Sequence, residues 1–174
     1  MEKLIKASEN KIPDLYKKFC PARQKLITPV TLTDLQYAEA WQNVTWHPLP
    51  FAEDAAEYFT ANGERVRSKS EVIIADTLNR HKVPYRYEFP LELKNGDIYH
   101  PDFLCLNLRT RQEYIWEHFG MMDRPDYAER TVRKFKVFGE NKILPGKRLL
   151  FTMETVESPL NSRQVEGLIN EFLK

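Results

Sequence analysis

The chain has few of the features that mark secreted and membrane-spanning proteins. Its two cysteines, Cys20 and Cys105, are too few for the disulfide framework of a small secreted domain and favour a reducing, intracellular setting. No apolar run approaches the roughly 20 residues that a membrane-spanning helix requires. The opening stretch, Met1–Lys6, mixes charged and apolar residues, unlike a signal peptide. We therefore expect a cytoplasmic protein with no membrane partner.

An excess of charge of one sign is also missing, which excludes a globally basic nucleic-acid-binding protein. The 174 residues contain 26 Lys and Arg against 25 Asp and Glu, for a formal net charge of +1. The basic residues are nevertheless unevenly spread: Ala128–Arg148 contains seven of them and two acids, a local net charge of +5 (seven minus two). A local basic surface is therefore compatible with a nearly neutral chain.

Helix and strand signals follow one another from Ser68 to the end of the chain. Segments with apolar residues at helical spacing alternate with β-branched and aromatic runs. The predicted elements are a helix from about Lys69 to His81, strands over 83–93, 99–108 and 113–120, a helix over about 126–141, a strand over 149–155 and a last helix to Leu173. This order predicts an α/β sandwich, in which a mixed sheet has a helix on each side.

The residues before this region are predicted to be helical. Thr33 followed by Gln36 has the spacing of a capping box, and residues 53–60 predict a short helix that ends at Asn62-Gly63. We therefore expect a helical N-terminal extension, residues 1–62, and an α/β domain, residues 63–174.

Two carboxylates occupy positions in the predicted hairpin where strands rarely carry charge. Asp102 stands near the start of the run 99–108, and Glu117 stands near the end of the run 113–120. Because the start of one antiparallel strand lies beside the end of the next, we expect the two side chains to be neighbours. Adjacent carboxylates repel unless a cation lies between them, and Mg²⁺ prefers carboxylate oxygens. The pair therefore predicts a Mg²⁺ site, with Mn²⁺ as a substitute ion.

A third acid, Glu71, has two interpretations. Ser68 and Glu71 have the spacing of a capping box, in which the acid serves only the start of the helix. Alternatively, Glu71 points from the first helical turn toward the hairpin carboxylates and completes the metal site. The sequence alone leaves both interpretations open.

The order of the elements and these acids resembles the PD-(D/E)XK nuclease superfamily, whose fold is that of restriction endonucleases. The matching pieces are Arg67–Glu71 at the first helix, Pro101–Phe103 on the second strand and Trp116–Gly120 on the third. The resemblance covers about half of the chain. It implies a restriction-endonuclease-like αβββαβ fold and a metal-dependent DNA endonuclease, which hydrolyses phosphodiester bonds.

The same resemblance implies a site and a partner. Glu71, Asp102 and Glu117 correspond to the metal-site acids of the family, Mg²⁺ to its cofactor and DNA to its substrate. Many nucleases of this kind pair to cut both strands, so the resemblance also allows a homodimer.

The sequence departs from the family at its motif lysine. The family has Glu-x-Lys on the third strand, whereas this chain has Phe119 in the place of the lysine. Either another residue has taken over the lysine's role or the site is inactive. Lys134 on the following helix is the best replacement, and the weaker candidates are Arg130, Lys136 and Lys69.

His118 is another candidate for the site. The run Glu117–Gly120 resembles the equivalent strand of very-short-patch mismatch repair endonucleases, in which a histidine takes part in the site. Neighbours on a strand alternate faces, so a twist or bulge at Gly120 would have to bring His118 round to the side of Glu117. A half-buried structural histidine is the alternative, and His100 is a weaker candidate.

Basic side chains near these acids are the predicted DNA contacts. They would bind the phosphate backbone, which positions a protein on DNA without reading its sequence. The residues are Arg67, Lys69, Arg130, Arg133 and Lys136. A charged helix face that is merely solvated is the alternative.

Two other functions compete with the nuclease. One is a catalytically inactive nucleic-acid-binding module on the same fold, with Phe119 as the mark of a lost site. The other is a structural or regulatory segment of a larger protein, in which Glu71, Asp102 and Glu117 only cap helices and strand ends. The arrangement of these acids in space distinguishes the alternatives.

Overall fold

The chain divides into two units, Met1–Val44 and Thr45–Lys174. The structure, a computed structural model, describes residues 15, 18–26 and 32–174. The division falls earlier than the boundary expected after residue 62, because a two-stranded pairing binds the intervening segment into the second unit. The helix predicted over 53–60 is wrong: residues 53–57 form no helix, and β1 (Tyr58–Phe59) pairs with β2 (Arg65–Val66). Gly63, with φ of 80°, turns the chain between these strands instead of ending a helix.

The first unit contains two described helices, α1 (Pro21–Leu26) and α2 (Asp34–Gln42). The capping box predicted at the start of α2 is confirmed. Thr33 Oγ1 accepts a hydrogen bond of 3.3 Å from Gln36 N, and Thr33 N donates one of 3.1 Å to Gln36 Oε1. The rest of the predicted N-terminal extension, residues 1–14, 16–17 and 27–31, lies outside the described residues.

The second unit is built on a four-stranded sheet with the strand order β3-β6-β7-β8. From Lys69 the elements are α3 (Lys69–Arg80), β3 (Tyr85–Tyr87), β4 (Leu91–Glu92), β5 (Ile98–Tyr99), β6 (Phe103–Asn107), β7 (Gln112–Phe119), α4 (Pro125–Glu140), β8 (Leu149–Met153) and α5 (Ser162–Phe172). β3, β6 and β7 are antiparallel neighbours, and β8 runs parallel to β7. The parallel pair needs a crossover, which α4 supplies.

Helices cover both faces of this sheet. On one face, α3 and α5 pack against alternate residues of the strands and form a hydrophobic core. The helices contribute Ile74, Ala75, Leu78, Val165 and Ile169 to this core. On the other face, Phe135 of α4 packs 5.5 Å from Phe119 and 5.3 Å from Phe151, measured between ring centroids. The predicted α/β class, with a mixed sheet between helices, is therefore confirmed. No helix in the part of the chain that the structure describes is long and apolar enough to cross a membrane.

The strand predicted over 83–93 is two separate strands. β3 ends at Tyr87 because Glu88, with φ of 47°, leaves the extended conformation, and Pro90 follows soon after. β4 then pairs with β5 around the predicted turn at Lys94–Asp97 and forms a small hairpin outside the main sheet. This hairpin directly precedes Asp102.

Candidate functional site

Asp102 and Glu117 lie beside each other at the open end of the β6–β7 hairpin. Phe103 pairs with Trp116 across the hairpin, so one further step brings Asp102 opposite Glu117. Asp102 Oδ2 accepts a hydrogen bond of 2.7 Å from the backbone N–H of His118. The structure therefore brings together the two carboxylates that the sequence indicated.

Burial and like charge both act against ionisation of these carboxylates. Burial raises the pKa of Asp102 well above its usual range, and the negative charges of Glu117 and Glu71 raise it further. Burial also raises the pKa of Glu117, which is 1% exposed, while Lys134 and the Tyr99 hydroxyl lower it. A cluster of this kind stabilises an added cation, because each positive charge favours the ionised form of both acids.

Lys134 places its ammonium group beside these two carboxylates. Its Nζ lies 2.5 Å from Glu117 Oε2, and its charge also lowers the pKa of Asp102. The same Nζ lies 5.2 Å from the ring centroid of Tyr99 and 5.7 Å from that of Phe119. Of the four basic residues considered as replacements for the motif lysine, Lys134 is thus the one that the structure pairs with Glu117.

The packing of Phe119 explains why this strand position carries no lysine. Phe119 is 2% exposed and contacts Phe135 of α4 and Phe151 of β8. A lysine at this position would place an ammonium group inside an aromatic cluster, which carries a large desolvation cost. The cation instead reaches Glu117 from the helix that covers the cluster.

Two tyrosines near these groups escaped the sequence reasoning. The Tyr99 hydroxyl donates a hydrogen bond to Glu117 Oε1, and burial together with the charge of Glu117 raises the pKa of Tyr99. The Tyr127 hydroxyl accepts a hydrogen bond of 3.3 Å from Gly120 N. Burial raises the pKa of Tyr127, the charges of Asp102 and Glu117 raise it further, and the charge of Lys134 lowers it. Tyr127 precedes Lys134 by seven positions, or two helical turns, so its spacing was a usable signal. Tyr99 belongs to a two-residue strand outside the main sheet and gave no such signal.

The Glu71 carboxylate is hydrogen-bonded at the start of its own helix. Its Oε2 accepts hydrogen bonds from Arg67 N at 2.9 Å and from the Tyr87 hydroxyl at 2.8 Å, and its Oε1 accepts one of 3.0 Å from Ser68 Oγ. Ser68 Oγ in turn accepts from Glu71 N at 3.1 Å. These contacts are those of a capping residue. The charge of Glu71 still reaches the site, since it raises the pKa of Asp102.

The His118 side chain lies on the face of the sheet opposite to Glu117. Its ring Nδ1 is 2.9 Å from Thr152 Oγ1, and its Nε2 is 3.1 Å from Glu154 Oε1, although not aligned for a hydrogen bond. The side chain is 3% exposed. Gly120 does not bring it round, because the strand alternates regularly through Phe119. The structure therefore brings the backbone N–H of His118 to Asp102, but it does not bring the His118 ring to the two carboxylates.

The weaker candidate His100 is also structural. Its Nδ1 lies 3.0 Å from the backbone oxygen of Glu88, at the point where β3 ends. The contact fixes the loop that leads into Asp102.

Arg67, a predicted DNA contact, is engaged within the protein. Its Nε lies 2.5 Å from Glu88 Oε1, and its Nη2 donates a hydrogen bond of 3.0 Å to the backbone oxygen of Leu49. Its guanidinium group also lies over the Phe51 ring, 4.6 Å from the centroid. Arg67 therefore ties residues 49–51 to Glu88 through Nε and Nη2, although its side chain is still 36% exposed.

The other predicted DNA contacts are more weakly engaged within the protein. Arg130 Nη2 lies 3.1 Å from Asp126 Oδ2, and Arg133 Nη2 lies 3.5 Å from a Glu129 oxygen, both four positions away. Such exposed pairs are weak and leave the cations accessible to an anionic partner. The other two contacts, Lys69 and Lys136, are exposed and make no ion pair with any described residue.

Among the three acids, hydrogen bonds leave Oδ1 of Asp102 open to a cation. Mg²⁺ is usually bound by one or two carboxylates and keeps several waters. Asp102 Oδ1 accepts no hydrogen bond from any described residue, whereas both oxygens of Glu71 and both oxygens of Glu117 are already bonded. Across residues 15, 18–26 and 32–174, no group of three or more His, Cys, Asp and Glu side chains is placed so that it could hold a metal. The structure thus brings Asp102 and Glu117 together, and an ion bound by Glu117 would have to replace its contact with Tyr99 or Lys134.

Comparisons with known proteins assign neither a family nor an activity. No protein-family model and no solved structure matches the chain. The chain is similar to an uncharacterized protein of Methanocaldococcus jannaschii, with 37% identity over 83 residues. Those residues make up 47% of this chain and 7% of that protein, so the similarity spans a small part of a much longer relative.

Proposed function

We propose that the chain is a metal-dependent DNA endonuclease that hydrolyses phosphodiester bonds at Asp102, Glu117 and Lys134. The main support is the contact of 2.5 Å between Lys134 Nζ and Glu117 Oε2, beside Asp102. Two carboxylates and one ammonium group at one place are the combination that metal-assisted phosphodiester hydrolysis uses. The restriction-endonuclease-like fold belongs to this proposal, since the main-sheet strands and helices from Lys69 follow the order αβββαβ.

Each side chain of the cluster has its own part in the proposed reaction. Asp102 and Glu117 would hold Mg²⁺, or Mn²⁺ in its place. When bound, the ion would supply charge neutralisation at the phosphate and a water of lowered pKa. Lys134 would hold its ammonium group at the edge of the carboxylates and stabilise the negative charge that develops on the attacked phosphate. The backbone N–H of His118 orients Asp102 through its hydrogen bond to Oδ2.

The exposed cations support DNA as the partner. Lys136 and Arg133 flank Lys134 on α4, and Lys69 begins α3, two residues before Glu71. Exposed lysine and arginine side chains would bind backbone phosphates without selecting a sequence. We leave Arg67 out of this set because its Nε and Nη2 are engaged by Glu88 and by the backbone oxygen of Leu49.

An inactive nucleic-acid-binding module is the second candidate, and one observation favours it. Both oxygens of Glu117 are already bonded, one to Tyr99 and one to Lys134, so the carboxylate is neutralised within the protein. A module of this kind would bind DNA through the same exposed cations and would not need a metal.

Cleavage of supercoiled plasmid and of branched DNA in Mg²⁺ or Mn²⁺ tests the proposal. We expect the wild-type protein to nick or cut these substrates, and Asp102→Ala to abolish the activity while the variant remains folded. Folded wild-type protein that retards DNA in a gel shift, yet cleaves none of it in either metal, would establish the binding module instead. Folded protein that neither cleaves nor binds DNA would contradict both candidates.

A further inference from the structure

The carboxylate of Glu117 is held at both oxygens by side chains from two separate elements. Tyr99 of β5 donates its hydroxyl hydrogen to Oε1, and Lys134 of α4 contacts Oε2 at 2.5 Å. Because neither contact comes from β7 itself, the orientation of this side chain depends on how β5 and α4 are placed. A carboxylate with two fixed partners has little freedom to rotate about its terminal bond.

Tyr99 is itself fixed against α4. Its ring meets the Phe138 ring edge-on, with 5.4 Å between centroids and 85° between the planes. Lys134 Nζ lies 5.2 Å from the Tyr99 ring centroid, within the range of a cation–π contact. One aromatic ring thus contacts the helix, the ammonium group and the carboxylate.

The hairpin that carries Tyr99 is also attached to the end of α4. Lys94 N, in the turn between β4 and β5, donates a hydrogen bond of 2.9 Å to Oδ1 of Asn141, the residue that follows α4. The hairpin therefore contacts this helix at two points, through its turn and through Tyr99. This hairpin lies outside the main sheet, and its Tyr99 hydroxyl contacts Glu117 of the main sheet.

We propose that Tyr99 is a positioning residue, which sets the rotamer of Glu117 so that Oε2 faces Lys134 while the carboxylate stays beside Asp102. This inference rests on the proposed nuclease function for its catalytic consequence. Tyr99 acts through Glu117 and does not need to touch the substrate. Residues that orient metal-binding carboxylates typically change metal affinity or activity about 10–100-fold when they are removed.

Tyr99→Phe tests the role, because it removes the hydroxyl and keeps the ring. Tyr85→Phe is a matched control: the Tyr85 hydroxyl donates a hydrogen bond of 2.8 Å to a carboxylate oxygen of Glu64, outside the site. We expect Tyr99→Phe to raise the Mg²⁺ concentration for half-maximal cleavage about tenfold and to lower kcat, with KM for DNA unchanged. We expect Tyr85→Phe to change none of these quantities more than about twofold. Equal effects of the two variants would overturn the proposal.

A measurement without metal or substrate separates this inference from the proposed function. The coupling between Glu117→Gln and Lys134→Met is obtained from urea unfolding of the single and double variants, in the wild-type and in the Tyr99→Phe background. We expect the coupling to fall by at least half when the hydroxyl is absent. An unchanged coupling would overturn the positioning role even if the protein cleaves DNA. A reduced coupling in a protein that cleaves nothing would retain that role and contradict the nuclease.

Discussion

Lys134 Nζ lies 2.5 Å from Glu117 Oε2, so α4 provides a cation to a strand whose own sequence lacks one. Glu117 is 1% exposed and shares its surroundings with Asp102. An isolated buried carboxylate pair would be costly, and the ammonium group offsets part of that cost. The same arrangement leaves Oδ1 of Asp102 without a hydrogen-bond donor among the described residues.

A lysine in place of Phe119 should destabilise the protein. Phe119→Lys places an ammonium group among Phe135 and Phe151, so we expect the free energy of unfolding to fall by about 3–5 kcal/mol. Urea unfolding followed by circular dichroism measures the change, with Phe119→Leu as a milder control. A Phe119→Lys protein as stable as wild type and more active would show that the strand position still serves as the lysine site.

Asp102→Asn should stabilise the metal-free protein at neutral pH while it removes cleavage. The pKa of Asp102 is raised in the folded state, so the folded protein binds this proton more tightly than the unfolded chain does. The contribution of Asp102 to stability is therefore most favourable below its ordinary pKa of 3.8, and it declines as the pH rises from there toward the raised value. The amide avoids this decline and can still accept the hydrogen bond from His118 N.

Urea unfolding without divalent ions, from acid to neutral pH, measures this difference. The advantage of Asp102→Asn should be absent at the acid end and should grow toward neutrality. Two results would contradict this prediction: an Asp102→Asn protein that is less stable than wild type at neutral pH, or a stability difference between the two proteins that does not depend on pH. Either result would mean that folding does not disfavour the ionised form of Asp102.

Arg67→Ala should lower stability and should leave DNA affinity unchanged. Its partner Glu88 is 5% exposed and would keep a buried, unpaired charge, so we expect a loss of about 2 kcal/mol in the free energy of unfolding. Lys69→Ala, on an exposed neighbour without an ion-pair partner among the described residues, should stay within about 0.5 kcal/mol of wild type. If Arg67→Ala weakens DNA binding at unchanged stability, the assignment of Arg67 to contacts within the protein is wrong.

Lys136→Ala should weaken DNA binding by the amount of one phosphate contact. We expect the slope of log affinity against log salt to fall by about one unit, without a change in preference between DNA sequences. Arg163→Ala on α5, the helix on the other face of the sheet, is the control and should leave the slope unchanged. Fluorescence anisotropy at several salt concentrations measures both variants. Equal effects would indicate diffuse attraction instead of a binding face on α4.

The features that followed from the sequence are those set by local geometry. The short turn between β6 and β7 fixes the register of the hairpin, and the register alone brings Asp102 beside Glu117. Lys134 was identified from its place on the next helix. The α/β class followed from the order of helical and strand periodicities, since each element buries one apolar side.

The features that sequence missed depend on partners far along the chain. The His118 ring is fixed by Thr152 of β8 and by Glu154 just beyond that strand, both more than 30 positions away. The sequence does not specify the register of β8 with β7. Glu71 is bound by the hydroxyl of Tyr87, which β3 brings to the start of α3. Tyr99 reaches Glu117 only because the predicted strand 83–93 breaks at Glu88 and its second half forms a separate hairpin.

The most direct measurement is the single-turnover cleavage rate of plasmid DNA in saturating Mg²⁺, compared for wild type, Lys134→Met and Lys136→Met. If Lys134 has taken over the role of the motif lysine, Lys134→Met should cleave about 10²–10³-fold more slowly, because it removes one cation from the developing charge. Lys136→Met, two positions on and exposed, should stay within about threefold of wild type at saturating DNA. Equal rates for the three folded proteins, or no cleavage by wild type, would contradict the account.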